Sequence, residues 1–330
     1  MTLGPFNPGG EPSILLYWQW PRPVEPQIER IRAAQPQIEL RVAFTAEEAQ
    51  SQVGDVEILV AVPGPNPTLV RQGKNLRWVH SPSAGATSRD GTMQPELLDP
   101  NLIYTTSKGN GAIPIAEHTL MLILMLARRA AELLQWQRDH HWGSPAFPEL
   151  HGQTLGLIGL GNIGLEVARR ARGFGMRTLA VRRTGETSAA VDEVWPLARL
   201  HDLLAEADFV VVTLPITTAT QGMLGEAEFR AMKPTAFYVC VSRGAVAQEA
   251  VLLRALQEGW IAGAGLDTHA QTPLPADSPF WDLDNVIVTP HSGASSEHTQ
   301  DRSIAIFCEN LGRYIRGEPL HNVVDKEHGY

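Results

Sequence analysis

Cysteine is scarce. The 330 residues hold two, Cys240 and Cys308, each inside an apolar stretch. Two such residues exclude a disulfide framework and read as small core side chains in a reducing compartment. Charge is thin as well, at 19% of the chain, against roughly a quarter in an average domain. Acidic residues outnumber basic ones, 36 to 27, for a net charge of -9. An acidic chain repels a polyphosphate backbone, which argues against a nucleic-acid partner. Long hydrophobic runs are missing too. The most apolar stretch, Leu120 to Ala127, falls far short of the roughly 20 residues that span a bilayer. The opening residues lack the basic start and apolar run of a secretory signal. The expectation is a cytoplasmic protein with no membrane partner.

Hydrophobic residues make up 43% of the chain, enough for sizeable cores, and the length suits about two domains of roughly 150 residues. Short apolar runs alternate with helix-like segments. Ile14–Trp18, Glu39–Phe44, Glu57–Val62, Leu76–His80 and Leu102–Thr105 read as strands, with helices at Gln27–Ala34 and Ala46–Gln52. One long helix is expected from Pro114 to Gln137. A second alternation follows, with strands at Thr154–Ile158, Arg177–Val181, Phe209–Leu214, Ala236–Val241, Ala262–Leu266 and Val286–Thr289. Helices fall between them, and a last one runs from Glu297 to Arg316. Strand and helix in this rhythm give an α/β fold of two doubly wound parallel-sheet domains.

The strongest motif is Gly159-Leu160-Gly161-Asn162-Ile163-Gly164, which follows an apolar strand and opens an amphipathic helix. Gly159 permits a tight turn, Gly161 lets backbone approach a pyrophosphate, and Gly164 lets helix and strand pack closely. The helix N-terminus offers free N–H groups and a positive dipole to phosphates. At the end of the next strand an NAD site would carry Asp or Glu for the ribose hydroxyls. Here the residues are Arg182 and Arg183, whose guanidinium groups bind a 2′-phosphate. NADP is therefore expected, with NAD possible.

Eight segments, in order, are similar to the D-isomer-specific 2-hydroxyacid dehydrogenase family, especially its glyoxylate/hydroxypyruvate reductase-like members. They are Ser83-Ala84-Gly85-Ala86, Pro114-Ile115-Ala116-Glu117-His118, the glycine motif and Thr213-Leu214-Pro215, then Met232-Lys233-Pro234, Val241-Ser242-Arg243-Gly244, Gly265-Leu266-Asp267 and Thr289-Pro290-His291-Ser292. The resemblance implies a Rossmann cofactor domain, residues 110–291, inserted into a flavodoxin-like substrate domain made of 1–109 and 292–330. It also implies an active site in the cleft and a homodimer formed through the long helix.

The family's roles carry over residue by residue. Arg243 matches the arginine that holds a 2-oxo acid and polarises its carbonyl. His291 matches the acid/base, and backbone N–H groups near Ala84, Gly85 and Ala86 match the carboxylate anchor. Asn162, Ile163, Thr213, Leu214, Pro215, Val241 and Ser242 match cofactor-contacting positions. Asp267 matches the residue that orients the nicotinamide carboxamide. One departure bears on mechanism: where the family has a glutamate before a proline, this chain has Thr272 before Pro273. A carboxylate there favours imidazolium, whereas a hydroxyl can only orient the ring, so a slower, acid-shifted reductase is expected. His269 could supply a compensating contact or lie at the surface, and Cys240 is a milder departure at a position often held by asparagine.

No metal is expected. His140-His141 are neighbours that do not face one ligand together on a helix, and no zinc spacing accompanies them. Two other functions stay open on these residues: a dinucleotide-sensing, C-terminal binding protein-like corepressor, and a formate dehydrogenase-like enzyme.

Overall fold

The computed structural model describes residues 12–20, 23–87 and 92–329. Two compact units divide the chain, one ending at Asn110 and resuming at Ser296, the other running from Gly111 to Ser295.

The first unit begins with strand β1 (Ser13–Trp18), helix α1 (Glu25–Ala34), strand β2 (Glu39–Ala43), helix α2 (Ala46–Gln52) and strand β3 (Ile58–Val62). Helix α3 (Pro67–Gln72), strand β4 (Trp78–Ser81) and strand β5 (Ile103–Thr106) complete its sheet region. The five strands pair with one another in parallel, in the order β2-β1-β3-β4-β5, which is the flavodoxin-like arrangement. β3 reads Ile-Leu-Val-Ala-Val and is buried throughout, as a parallel strand covered on both faces must be. Helix starts follow their caps. Thr45 and Glu48 form a capping box on α2, and Asn66 caps α3 ahead of Pro67, each such cap contributing about 1 kcal/mol.

The second unit opens with helices α4 (Ala112–Ala127) and α5 (Ala130–Arg138), where the sequence suggests one helix. Arg129 takes a left-handed conformation, φ 49°, which interrupts the helical hydrogen bonding where apolar periodicity gives no hint of it. Strand β6 (Thr154–Ile158), helix α6 (Asn162–Gly173), strands β7 (Arg177–Arg182) and β8 (Glu193–Pro196), helix α7 (Leu200–Glu206) and strand β9 (Phe209–Val212) follow. Next come helix α8 (Glu226–Ala231), strand β10 (Phe237–Cys240), helix α9 (Glu249–Gln257), and strands β11 (Gly263–Leu266) and β12 (Val286–Val288). The parallel order is β12-β11-β10-β9-β6-β7-β8, so β6 and β9 are neighbours where the winding reverses direction. That is the dinucleotide-binding Rossmann order, extended by one strand. One apolar cluster joins the sheet to α7, α8 and α9, and another joins it to α4 and α6.

The last helix, α10 (Thr299–Ile315), belongs to the first unit. Its Ile304, Phe307 and Leu311 are buried against that unit's sheet, with the Phe307 ring 5.2 Å from Trp78.

Candidate active site

The glycine loop leaves the end of β6 at the winding reversal, where α/β sheets bind ligands. Gly159 adopts φ 101°, and a Cβ there would come within 3.0 Å of Leu214 Cδ2 and 3.1 Å of Thr213 Oγ1. A Cβ on Gly164 would lie 2.7 Å from the Gly159 carbonyl oxygen. Both positions therefore demand glycine. Gly161 is different: a Cβ there would meet nothing within 4 Å, so this backbone is open to approach. Asn162 and Ile163 begin α6 behind it, and no side chain caps the helix. Thr213 ties the loop to β9, its Oγ1 donating to Gly159 O at 2.9 Å and its N–H to Ile158 O at 3.0 Å. Leu214 packs on the adjoining apolar cluster, and Pro215 O accepts from Thr220 Oγ1 at 2.8 Å. The phosphate-cradle geometry fits a dinucleotide.

Arg182 ends β7 and Arg183 follows it on the surface. The structure adds a partner that the sequence reading missed: Arg182 Nη2 lies 3.0 Å from Glu186 Oε2.

Val241, Ser242 and Arg243 leave the end of β10, the first two buried. Arg243 donates to Ser242 O at 2.8 Å. A Cβ on Gly244 would sit 2.2 Å from the His269 carbonyl carbon, so the arginine turn rests directly on the backbone leaving β11. His269 itself is buried, not at the surface. Thr272 Oγ1 donates to His269 O at 3.5 Å.

Asp267 is the hub of this region. Its Oδ1 accepts from Thr289 Oγ1 at 2.7 Å and Ser292 N at 2.9 Å, and lies 3.4 Å from His118 Nε2. Its Oδ2 accepts from Gly293 N at 2.9 Å. Burial alone would raise this carboxyl, but the hydrogen bonds from His118, Thr289 and the two amides outweigh it and hold the group at about 2. His291 stands between the anchored residues 289 and 292 in a left-handed conformation, φ 54°, with its N–H donating to Thr289 O at 3.0 Å. Such a backbone is uncommon for a residue with a Cβ and concentrates at functional positions. Arg243, Asp267, Thr272 and His291 all lie in loops at the carboxyl ends of β10, β11 and β12. The His118 role was not legible, because 149 residues separate it from Asp267.

In the first unit, Ala84, Gly85 and Ala86 follow β4 in an irregular loop, with Ala84 exposed. The loop's base is fixed by residues from the two ends of the unit: Asn110 Nδ2 donates to Pro82 O at 3.0 Å and to Ser303 Oγ at 2.7 Å, while Ser303 Oγ donates to Pro82 O at 3.0 Å. Among the described residues, no group of three His, Cys, Asp or Glu side chains could hold a metal, and no helix is long and apolar enough to cross a membrane. His141 packs its ring edge-on against Trp136.

Comparison with known proteins meets this geometry. Residues 120–293 match the family described as D-isomer specific 2-hydroxyacid dehydrogenase, NAD binding domain. The chain is 41% identical over 241 residues to a glyoxylate reductase of Korarchaeum cryptofilum, covering 70% of this chain and 72% of that one. It is 31% identical over 322 residues to glyoxylate/hydroxypyruvate reductase B of an Enterobacter species, covering 96% and 98%. Its fold matches the solved NADPH-dependent glyoxylate/hydroxypyruvate reductase of Sinorhizobium meliloti, in complex with NADP and sulfate. That match has a TM-score of 0.84 and 26% identity, and covers 97% of this chain and 100% of the other.

Proposed function

The chain belongs to the D-isomer-specific 2-hydroxyacid dehydrogenase family and is an NAD(P)-dependent oxidoreductase of 2-oxo and 2-hydroxy acids; we propose that it reduces glyoxylate or hydroxypyruvate with NADPH. One observation carries the cofactor choice. The open glycine loop at the end of β6 is followed, at the end of β7, by Arg182 and Arg183 with no carboxylate in the ribose position. Guanidinium groups favour a 2′-phosphate there. The Sinorhizobium reductase, solved with NADP, supports the same choice.

In this reading Gly159, Gly161, Asn162, Ile163 and Gly164 hold the pyrophosphate, and Thr213, Leu214, Pro215, Val241 and Ser242 line the remaining cofactor surface. Asp267 Oδ2, which accepts one amide, keeps acceptor capacity for the carboxamide. The bound dinucleotide supplies the hydride. Arg243 pairs with the substrate and polarises its carbonyl through charge-assisted hydrogen bonds. His291 donates a proton to the carbonyl oxygen as that oxygen gains charge, leaving a neutral ring and a 2-hydroxy acid. The amides of Ala84, Gly85 and Ala86 supply further donors to the carboxylate. Thr272 brings no negative charge to His291, and the reductase is slower for it at neutral pH.

The test is His291→Ala. It should bind NADPH as the wild type does and lose about 100-fold or more in turnover of glyoxylate. Full activity in that variant would refute the assignment. A non-catalytic sensing role and formate oxidation are both disfavoured by reductase relatives. The same reading extends to a homodimer, supported by Met121, Leu133 and Leu134 exposed on α4 and α5, and to the cytoplasm, supported by Cys240 and Cys308 being free thiols.

A further inference from the structure

Behind the Arg243 turn, the second unit contains a small chamber whose lining sets Tyr238, Cys240, Glu249, Thr268 and His269 beside the apolar Leu252 and Leu266. Polar groups are costly in the core of a parallel sheet unless they are hydrogen-bonded. His269 is only 9% exposed, and neither of its ring nitrogens reaches a hydrogen-bond partner in the protein. Tyr238 Oη, beside the Cys240 thiol, makes no protein hydrogen bond of good geometry either. Burial keeps His269 below the ordinary histidine range; Asp267 opposes that effect and His291 reinforces it. A neutral imidazole still carries one donor and one acceptor that need satisfying. The chamber offers about 10 Å³ to the centre of a water molecule, room for roughly one water held by two to four polar partners.

We propose that the chamber is a water site, in which one ordered water bridges the His269 ring to Glu249, and that His269 thereby serves as a positioning residue for Arg243. The mechanical link is direct. Gly244 has no room for a Cβ because His269 backbone lies against it. Cys240 Sγ donates to Arg243 O at 3.5 Å and lies 3.2 Å from Thr268 Oγ1. Glu249 Oε1 accepts from Ala270 N at 3.2 Å. The arginine turn, the chain leaving β11 and the start of α9 are thus joined around one small space. A satisfied His269 holds that space open to one water and keeps the Arg243 backbone in register.

This role rests on Arg243 being the substrate anchor. The experiment is a crystal structure of the wild-type protein that orders its waters, paired with kinetics of His269→Leu and His269→Gln on glyoxylate and NADPH. One water peak should lie within hydrogen-bonding distance of a His269 nitrogen and a Glu249 oxygen. His269→Leu should raise KM for glyoxylate about fivefold while KM for NADPH stays constant. His269→Gln, which keeps a donor and an acceptor, should remain near wild type. A chamber without a water peak overturns the water site. Unchanged KM in His269→Leu, or equal loss in both variants, overturns the positioning role. If the wild type reduces no 2-oxo acid, the proposed function and the positioning role fall together, while the water peak still decides the chamber.

Discussion

Gly293 donates its N–H to Asp267 Oδ2 at 2.9 Å, and the same oxygen stands 2.9 Å from where a Gly293 Cβ would be. One carboxylate thus grips the chain two residues past His291 and forbids a side chain there. Because Asp267 also binds Ser292 N and Thr289 Oγ1, the strained backbone of His291 is clamped from both sides.

Gly293→Ala should therefore push Asp267 away from the amide, with the His118 ring 3.4 Å off blocking an easy shift. We expect a loss of about 1–3 kcal/mol in stability, typical of overpacking, together with a fall in kcat. Denaturant titration and steady-state kinetics check both. A variant as stable and active as wild type would contradict the clamp.

Glu186 competes for the group assigned to the 2′-phosphate. Freeing Arg182 by Glu186→Gln should raise kcat/KM for NADPH about two- to fivefold, the scale of an exposed ion pair, and leave NADH unchanged. Arg182→Ala should lower the NADPH value about 10- to 100-fold, as expected for lost charge-assisted hydrogen bonds. Equal effects on the two cofactors would place Arg182 outside the 2′-phosphate site.

The alternation of strands and helices and the motif positions follow from patterns that act locally, so they were legible. The glycine loop sits between an apolar strand and an amphipathic helix, and β6 and α6 stand at Thr154–Ile158 and Asn162–Gly173. Other features were not, for physical reasons. The break at Arg129 involves neither glycine nor proline, and the apolar pattern continues across it. β8 is a four-residue edge strand with Trp195 as its buried residue, too short for alternation to register. α3 is only six residues long, although Asn66-Pro67 is a legible start signal. The Asp267 clamp depends on His118 and Thr289 meeting in space, and the burial of His269 depends on packing against Phe280. Neither is encoded in local spacing.

Acid sensitivity should arise in the first unit. His80 is buried between Thr105 and Ser107, with ring nitrogens 2.8 Å and 3.1 Å from their hydroxyls, and burial lowers it from 6.5 to about 3. The folded form stays neutral while the unfolded form takes up a proton below pH 6.5. Stability from this group is therefore intact above 6.5 and is lost as pH falls toward 3, at up to about 1.4 kcal/mol per pH unit. His80→Gln should flatten that slope in denaturant titrations between pH 7 and 4. Parallel slopes in wild type and variant would contradict it.

Thr272→Glu should put a carboxylate where this chain has a hydroxyl. The limb of the pH–rate profile that reports the proton donor should move upward by about one unit or more, with faster reduction at neutral pH. An unmoved limb would mean that position 272 does not act on His291.

Assaying the wild-type protein on a panel of 2-oxo acids with NADPH and NADH side by side, following loss of the reduced nicotinamide, tests the proposed reduction most directly. Turnover of glyoxylate or hydroxypyruvate is expected, with a higher kcat/KM for NADPH than for NADH. A preference for NADH, or no turnover of any 2-oxo acid with either cofactor, would contradict it.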